Sequence, residues 1–276
     1  MKKDIKLIAM DIDGTILGRD KRLSKRTKSV FESVAKLGIP LVVASGRAVQ
    51  AVPEEIRGMN GVEYVISSNG SSIFRLSDGK RIFGKDLTGG QVDILMDVCR
   101  NYSCPLEVFI QGRPYTSEEY YNMPEKFGAG PSAAAYVRGT RHPVEDIRRF
   151  AEIHKEEIEG MNFIVYDPEL KREMRHRLEG FKGLYVTSSV PRYIEISHGD
   201  VCKRNALIWL AKYLKIPQEN ILAFGDGEND LEMIQYAGIG VAMENGMDLL
   251  KAAADRIAPP CDEDGVARVL EELLEI

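Results

Sequence analysis

Two aspartates two positions apart open the segment Asp11-Ile12-Asp13-Gly14-Thr15, directly behind a charge-free run that ends at Met10. In an open α/β sheet ligands collect outside the carboxyl ends of the strands, so acids at such an exit sit where chemistry is done. The two carboxylates are expected to face opposite sides there, one towards a reacting centre. The second, bent back by a turn at Gly14, would face a leaving group. As a plain polar turn the same residues would need no further partner, since Asp and Gly are common in turns.

A second acid and glycine segment, Gly225-Asp226-Gly227-Glu228-Asn229-Asp230, follows the apolar run Ile221 to Phe224. Asp226 and Asp230, with Asp11, supply hard oxygen donors for one cation, a set that favours Mg²⁺ over a soft transition metal. Gly225-x-Gly227 is also half of a dinucleotide fingerprint, but the third glycine position is Asp230, whose carboxylate would repel a pyrophosphate. Ser45-Gly46-Arg47 follows Leu41 to Ala44 and offers a hydroxyl and bare amides to a phosphate, although Ser45 also fits a helix N-cap. Lys203 lies near the start of a C-terminal helix behind His198-Gly199-Asp200. Carboxylates, a divalent ion, a hydroxyl and an ammonium group together suit phosphoryl transfer, which is largely positioning and electrostatic stabilisation. The acids require the metal, because carboxylates alone repel a phosphate dianion.

The elements that must hold these groups read as alternating strands and helices. Ile5 to Met10 reads as a buried strand with Lys6 near its start, and Leu41 to Ala44 and Tyr64 to Ser67 are short runs free of charge, apolar on both faces. Between them Ser24 is placed to cap a helix whose stripe is Val30, Phe31, Val34 and Leu37, ended by Gly38. The C-terminal third repeats the pattern: helix Lys203 to Leu214, strand Ile221 to Phe224, helix Leu231 to Tyr236, strand Ile239 to Ala242, helix Val266 to Leu274. Such runs predict a parallel sheet covered on both sides. The middle differs, with helices over Gln91 to Asn101, Glu145 to Glu157 and Pro168 to Glu179, and strands over Leu106 to Ile110, Asn162 to Val165 and Leu184 to Thr187. The expected class is therefore α/β: a doubly wound, Rossmann-like parallel-sheet core with a second α/β unit inserted into it. The boundaries read from sequence are residues 1–83 and 191–276 for the core and 84–190 for the insert.

The 276 residues carry 42 acids against 37 bases for a net charge of −5, with the bases scattered. No footprint for nucleic acid or for an anionic membrane surface is visible. The longest apolar runs fall far short of the ~20 residues that cross a bilayer. Asp4, Lys6 and Asp11 interrupt the opening stretch, which reads as a buried strand rather than an export signal. Cys99, Cys104, Cys202 and Cys261 lack zinc spacing and suit a reducing, cytoplasmic setting. The basic run Lys171 to Arg177 reads as a solvated helix face, Trp209 as core, and Tyr115, Tyr120, Tyr121 and Phe127 as packing within the insert rather than a substrate wall.

Taken in order, Asp11-Ile12-Asp13-Gly14-Thr15, Ser45-Gly46-Arg47, Lys203 and Gly225 to Leu231 resemble the four signatures of the haloacid dehalogenase-like superfamily, in its Cof-type sugar-phosphatase branch. Ser68-Asn69-Gly70-Ser71, Val241 to Gly246 and Asp262 to Val266 are similar to secondary marks of the same branch, and the insert is similar in size and position to its α/β cap. The resemblance implies a Mg²⁺-dependent phosphatase of small phosphorylated metabolites, with sugar phosphates foremost. Asp11 would be the nucleophile and a metal ligand. Asp13 would be the general acid and base, its backbone carbonyl also on the metal. Ser45, Gly46, Arg47, Lys203 and Asn229 would hold phosphate or substrate, and Asp226 and Asp230 would complete the metal site. A hexose-phosphate mutase or other phosphotransferase of the superfamily, and a non-catalytic binding module, are the alternatives.

Overall fold

A computed structural model describes residues 4–276; Met1 to Lys3, where the opening stretch begins, lie outside the described residues. Within these, fourteen strands form two sheets: β1 Leu7–Met10, β2 Leu41–Ala44, β3 Val62–Ser67, β4 Ser72–Arg75, β5 Lys80–Gly84, β6 Leu106–Ile110, β7 Arg113–Ser117, β8 His142–Val144, β9 Ile158–Ile164, β10 Leu184–Thr187, β11 Tyr193–His198, β12 Ile221–Gly225, β13 Ile239–Met243 and β14 Arg256–Ala258. The larger sheet has the order β14-β13-β12-β1-β2-β3-β4-β5. From β14 to β3 every pairing is parallel, while β4 and β5 add an antiparallel edge. Strand order reverses between β1 and β12, which makes their carboxyl ends the switch point of the fold.

The charge-free runs are explained by two-sided burial. Ile8 and Met10 face one core cluster with Phe31, Val34 and Leu270, whereas Leu7 and Ala9 face another with Leu207 and Leu210. Alternate residues of one strand thus serve different helices, so no position on it tolerates a charge. Ser24 caps the helix Lys25–Lys36 by accepting from Thr27 N, as expected. Leu37 departs from the expected stripe: it lies at that helix's C-cap and is 52% exposed. Trp209 is half-buried rather than interior, stacked on Tyr213 and leaning on Phe83.

The smaller sheet, in the order β10-β11-β9-β6-β7-β8, is antiparallel except for the pair β7 and β8. Its apolar face packs on helices Gly89–Asn101, Ile147–Ile153 and Pro168–Glu179. The middle helix is shorter than the expected 145–157 span because Asp146 caps it, accepting from Arg148 N and Arg149 N. β9 begins at Ile158, four residues before the expected strand, since Glu159 and Gly160 interrupt its apolar pattern. β11 carries the second sheet to His198, past residue 190 where the sequence reading ended the insert. Glu195 and Ser197 mask that strand by alternating with its apolar residues. Among the described residues no helix is long and apolar enough to cross a membrane, and all four cysteines are free thiols.

Candidate active site

Asp11 leaves the end of β1 with its amide bonded to the Phe224 carbonyl of β12, 3.1 Å away, so the switch point itself fixes this carboxylate. Side chains two apart on a straight strand share a face. The chain turns at Ile12, and this turn is what sends Asp11 and Asp13 apart. Gly14 completes it at φ +89, where a Cβ would stand 2.2 Å from Asp226 Oδ2. No other residue fits between the two loops.

Asp11, Asp226 and Asp230 each offer an oxygen within 4.8 Å of the others. Lys203, 1% exposed, donates to Asp11 Oδ1 and to Asp230 Oδ1, both at 2.6 Å. Asp230 Oδ2 in turn accepts the amides of Asp226 and Gly227, so this carboxylate ties its own loop to the lysine. Thr15 Oγ1 donates to Asp226 Oδ1 at 2.8 Å. Two carboxylates therefore share one ammonium in a desolvated corner, with a third, Asp226, close by. Burial, together with the neighbouring Asp230 and Asp226 charges, pushes the Asp11 carboxyl well up although Lys203 opposes this. Burial and Asp230 raise Asp226 to about 7. Lys203 would lose its proton more readily on burial alone, but Asp11 and Asp230 hold it charged. An all-oxygen donor set with uncompensated negative charge fits a small hard dication such as Mg²⁺.

Asp13 points elsewhere. Arg47 grips it with Nε and Nη2 at 2.7 and 2.8 Å, and Lys21 Nζ adds a third contact at 3.0 Å. Burial works to raise this carboxyl, but the Arg47 hydrogen bonds and the two cations prevail and keep it below the usual range. Arg47, expected to touch a phosphate, is committed to Asp13 and to the Ala51 carbonyl. Ser45 is buried, its hydroxyl accepting from Arg47 N at 3.3 Å. It caps no helix, since the next helical turn, Val49–Ala51, starts from Ala48. Asn229, 2% exposed, donates Nδ2 to Asn69 Oδ1 at 2.8 Å.

These groups floor a cavity of about 930 Å³ whose opposite wall is the second sheet. Register places Thr187, Glu195, Asn162, Glu107 and Thr116 in one buried polar row across five adjacent strands. Arg141 pairs with both oxygens of Glu107 at 2.7 Å, and Asn162 joins them. The Tyr136 ring lies between the guanidiniums of Arg47 and Arg141, 4.8 and 4.6 Å from its centre. Sequence reasoning missed this wall and also Lys21. The available signal was a polar residue flanked by apolar ones inside each strand: Leu106-Glu107-Val108, Met161-Asn162-Phe163 and Ile194-Glu195-Ile196. Of the four aromatics read as packing, Tyr120 is fully buried. The basic run is not merely solvated, because Arg175 forks onto Glu228 in the loop that carries Asp226 and Asp230.

Comparison with known proteins agrees with this geometry. Residues 8–270 match the family model described as haloacid dehalogenase-like hydrolase. A phosphatase of Bacillus subtilis is 30% identical over 98% of this chain and 100% of its own. A 5-amino-6-(5-phospho-D-ribitylamino)uracil phosphatase of the same organism is 27% identical over 97% of this chain and 95% of its own. The solved structure of a haloacid dehalogenase-like hydrolase from B. subtilis superposes with a TM-score of 0.86 at 26% identity, covering 98% of this chain and 100% of that one. With its four charged segments gathered at one switch point under an α/β cap, the chain belongs to the haloacid dehalogenase-like hydrolases, in the Cof-type branch, and is a hydrolase of the phosphatase kind.

Proposed function

We propose that the protein is a Mg²⁺-dependent phosphomonoesterase of small phosphorylated metabolites, sugar phosphates foremost. The observation that carries this reading is the cluster of Asp11, Asp226 and Asp230, with Lys203 bonded to the first and last, at the floor of a cleft between the two sheets. Asp11 and Asp226, the backbone carbonyl of Asp13, and Asp230 directly or through water are the groups to hold the ion. Bound there, Mg²⁺ would screen the carboxylates and the charge on the transferring phosphoryl group.

An Asp11 oxygen attacks phosphorus while the ester oxygen departs, taking a proton from Asp13. In the second half Asp13 takes a proton from water, whose oxygen displaces Asp11 and releases inorganic phosphate. Splitting one displacement into two easier ones is the gain of covalent catalysis. Asp13 is ionised while Arg47 grips it, so Arg47 has to shift for Asp13 to carry the proton of the first half. Ser45 and Gly46, with Lys203 and Asn229, are the phosphate cradle, and Arg47 becomes available to substrate once it leaves Asp13. The unit from about residue 85 to 200 acts as a cap that closes over the leaving group and excludes water.

The test is hydrolysis of para-nitrophenyl phosphate with Mg²⁺, its loss on chelation and its return with added Mg²⁺. A panel compared by kcat/KM then ranks hexose phosphates, pentose phosphates and the phosphoribitylamino-uracil named for one relative. Metal-independent turnover would overturn the metal site, and transfer of phosphate to give an isomeric sugar phosphate would favour a mutase.

A further inference from the structure

Glu195 belongs to the cap sheet, yet it ends against the phosphate cradle of the core. It is 2% exposed, and a Cβ on Gly46 would stand 2.9 Å from its Oε2. One of its oxygens accepts from both the amide and the hydroxyl of Ser189. The other accepts from Asn69 Nδ2 at 2.6 Å, and Asn69 Oδ1 accepts from Asn229 Nδ2 at 2.8 Å. Asn69 is held at φ +57, a left-handed conformation that Asn tolerates and that a site must fix by its surroundings.

The direction of this chain follows from chemistry. The Ser189 amide is a donor and nothing else, and a carboxylate only accepts. Asn69 therefore has to turn its nitrogen to Glu195 and its oxygen to Asn229, which makes Asn229 turn its nitrogen towards Asn69, the neighbour of Gly46, and its oxygen towards Gly227. Resting on the phosphatase reading above, we propose that Glu195 is a positioning residue of the phosphate cradle, a cap carboxylate that orients the Asn229 amide through Asn69 so that closure of the cap presents an N–H donor to the phosphoryl group.

Glu195→Gln tests the direction without changing the shape. The Ser189 amide keeps the new side-chain oxygen, so the new NH₂ faces Asn69. Asn69 must then flip, and Asn229 turns an oxygen towards the anion. Loss of a hydrogen bond to a charged group predicts a rise of about 10- to 100-fold in both KM for para-nitrophenyl phosphate and the inhibition constant of inorganic phosphate. Asn69→Asp alone sets two carboxylates face to face and is predicted to weaken both constants similarly. The double variant Glu195→Gln with Asn69→Asp restores the sequence of donors and acceptors, and is expected to recover most of the phosphate affinity that either single change loses.

Inorganic phosphate has no leaving group, so its inhibition constant reports the cradle alone. An unchanged inhibition constant in Glu195→Gln with an altered KM would mean that Glu195 touches the leaving group, and would overturn the proposal. So would additive losses in the double variant when thermal unfolding shows all three proteins folded. A wild-type enzyme that turns over no phosphomonoester would instead sink the phosphatase reading, a result the variants cannot mimic.

Discussion

The floor and the roof of the cavity treat buried charge in opposite ways. In the roof, Glu107 is matched by Arg141 through two hydrogen bonds, and Glu159 by Ser68, the Gly112 amide and nearby Arg81. In the floor, Asp11 and Asp230 share Lys203, and Asp226 stands beside them with no cation of its own among the described residues. Burying unpaired charge is costly and is retained only where something else offsets it. The balanced pairs stabilise the cap and its seam with the core, and the imbalance in the floor is what the proposed ion would offset. An acid removed from the roof should therefore damage stability, and one removed from the floor should damage activity.

The sharpest way to break this contrast is Asp11→Asn, for which hydrolysis should fall about 10⁴-fold or more, as when other nucleophiles are removed. Its thermal midpoint in chelator should not fall, because one member of a repelling cluster is gone; a large drop would erase the distinction. Asp13→Asn comes next, slowing steady-state turnover by roughly 10²–10⁴. Rapid-quench analysis should show phosphoenzyme accumulating if the second half needs the same carboxylate. In the roof, Glu107→Ala leaves Arg141 buried and unpaired, and denaturant unfolding should show a loss of about 3–5 kcal/mol. The smallest effect is expected of Arg175→Ala. Arg175 joins cap helix Pro168–Glu179 to Glu228 across a partly exposed bridge, side chains 27% and 31% accessible. Removing it should cost at most about 1 kcal/mol. Titration calorimetry with added salt should show whether the bridge contributes to phosphate binding at all.

How much of this was legible beforehand depended on locality. β2 and the helices Lys203–Leu214 and Leu231–Tyr236 stand where their patterns put them, since each pattern is contained in its own segment. The acids at the exits of β1 and β12 were readable for the same reason. β11 was not, because its polar residues face a cavity and break the apolar run a buried strand normally shows. Arg47 was readable as a neighbour of Ser45 and Gly46, but its bond to Asp13, 34 positions away, has no period to betray it.

By itself the sequence determined the two-sided burial of the parallel strands and the order in which acids, hydroxyl and lysine occur along the chain. Those follow from hydrophobic patterning and turn chemistry, which act over a few residues. Only the tertiary structure decided that Lys203 bridges Asp11 and Asp230 across 192 and 27 positions, and that a cap glutamate reaches Asn69 across 126. Side chains so far apart meet because strand order and cap docking bring them together, and neither is written in any local stretch of the chain.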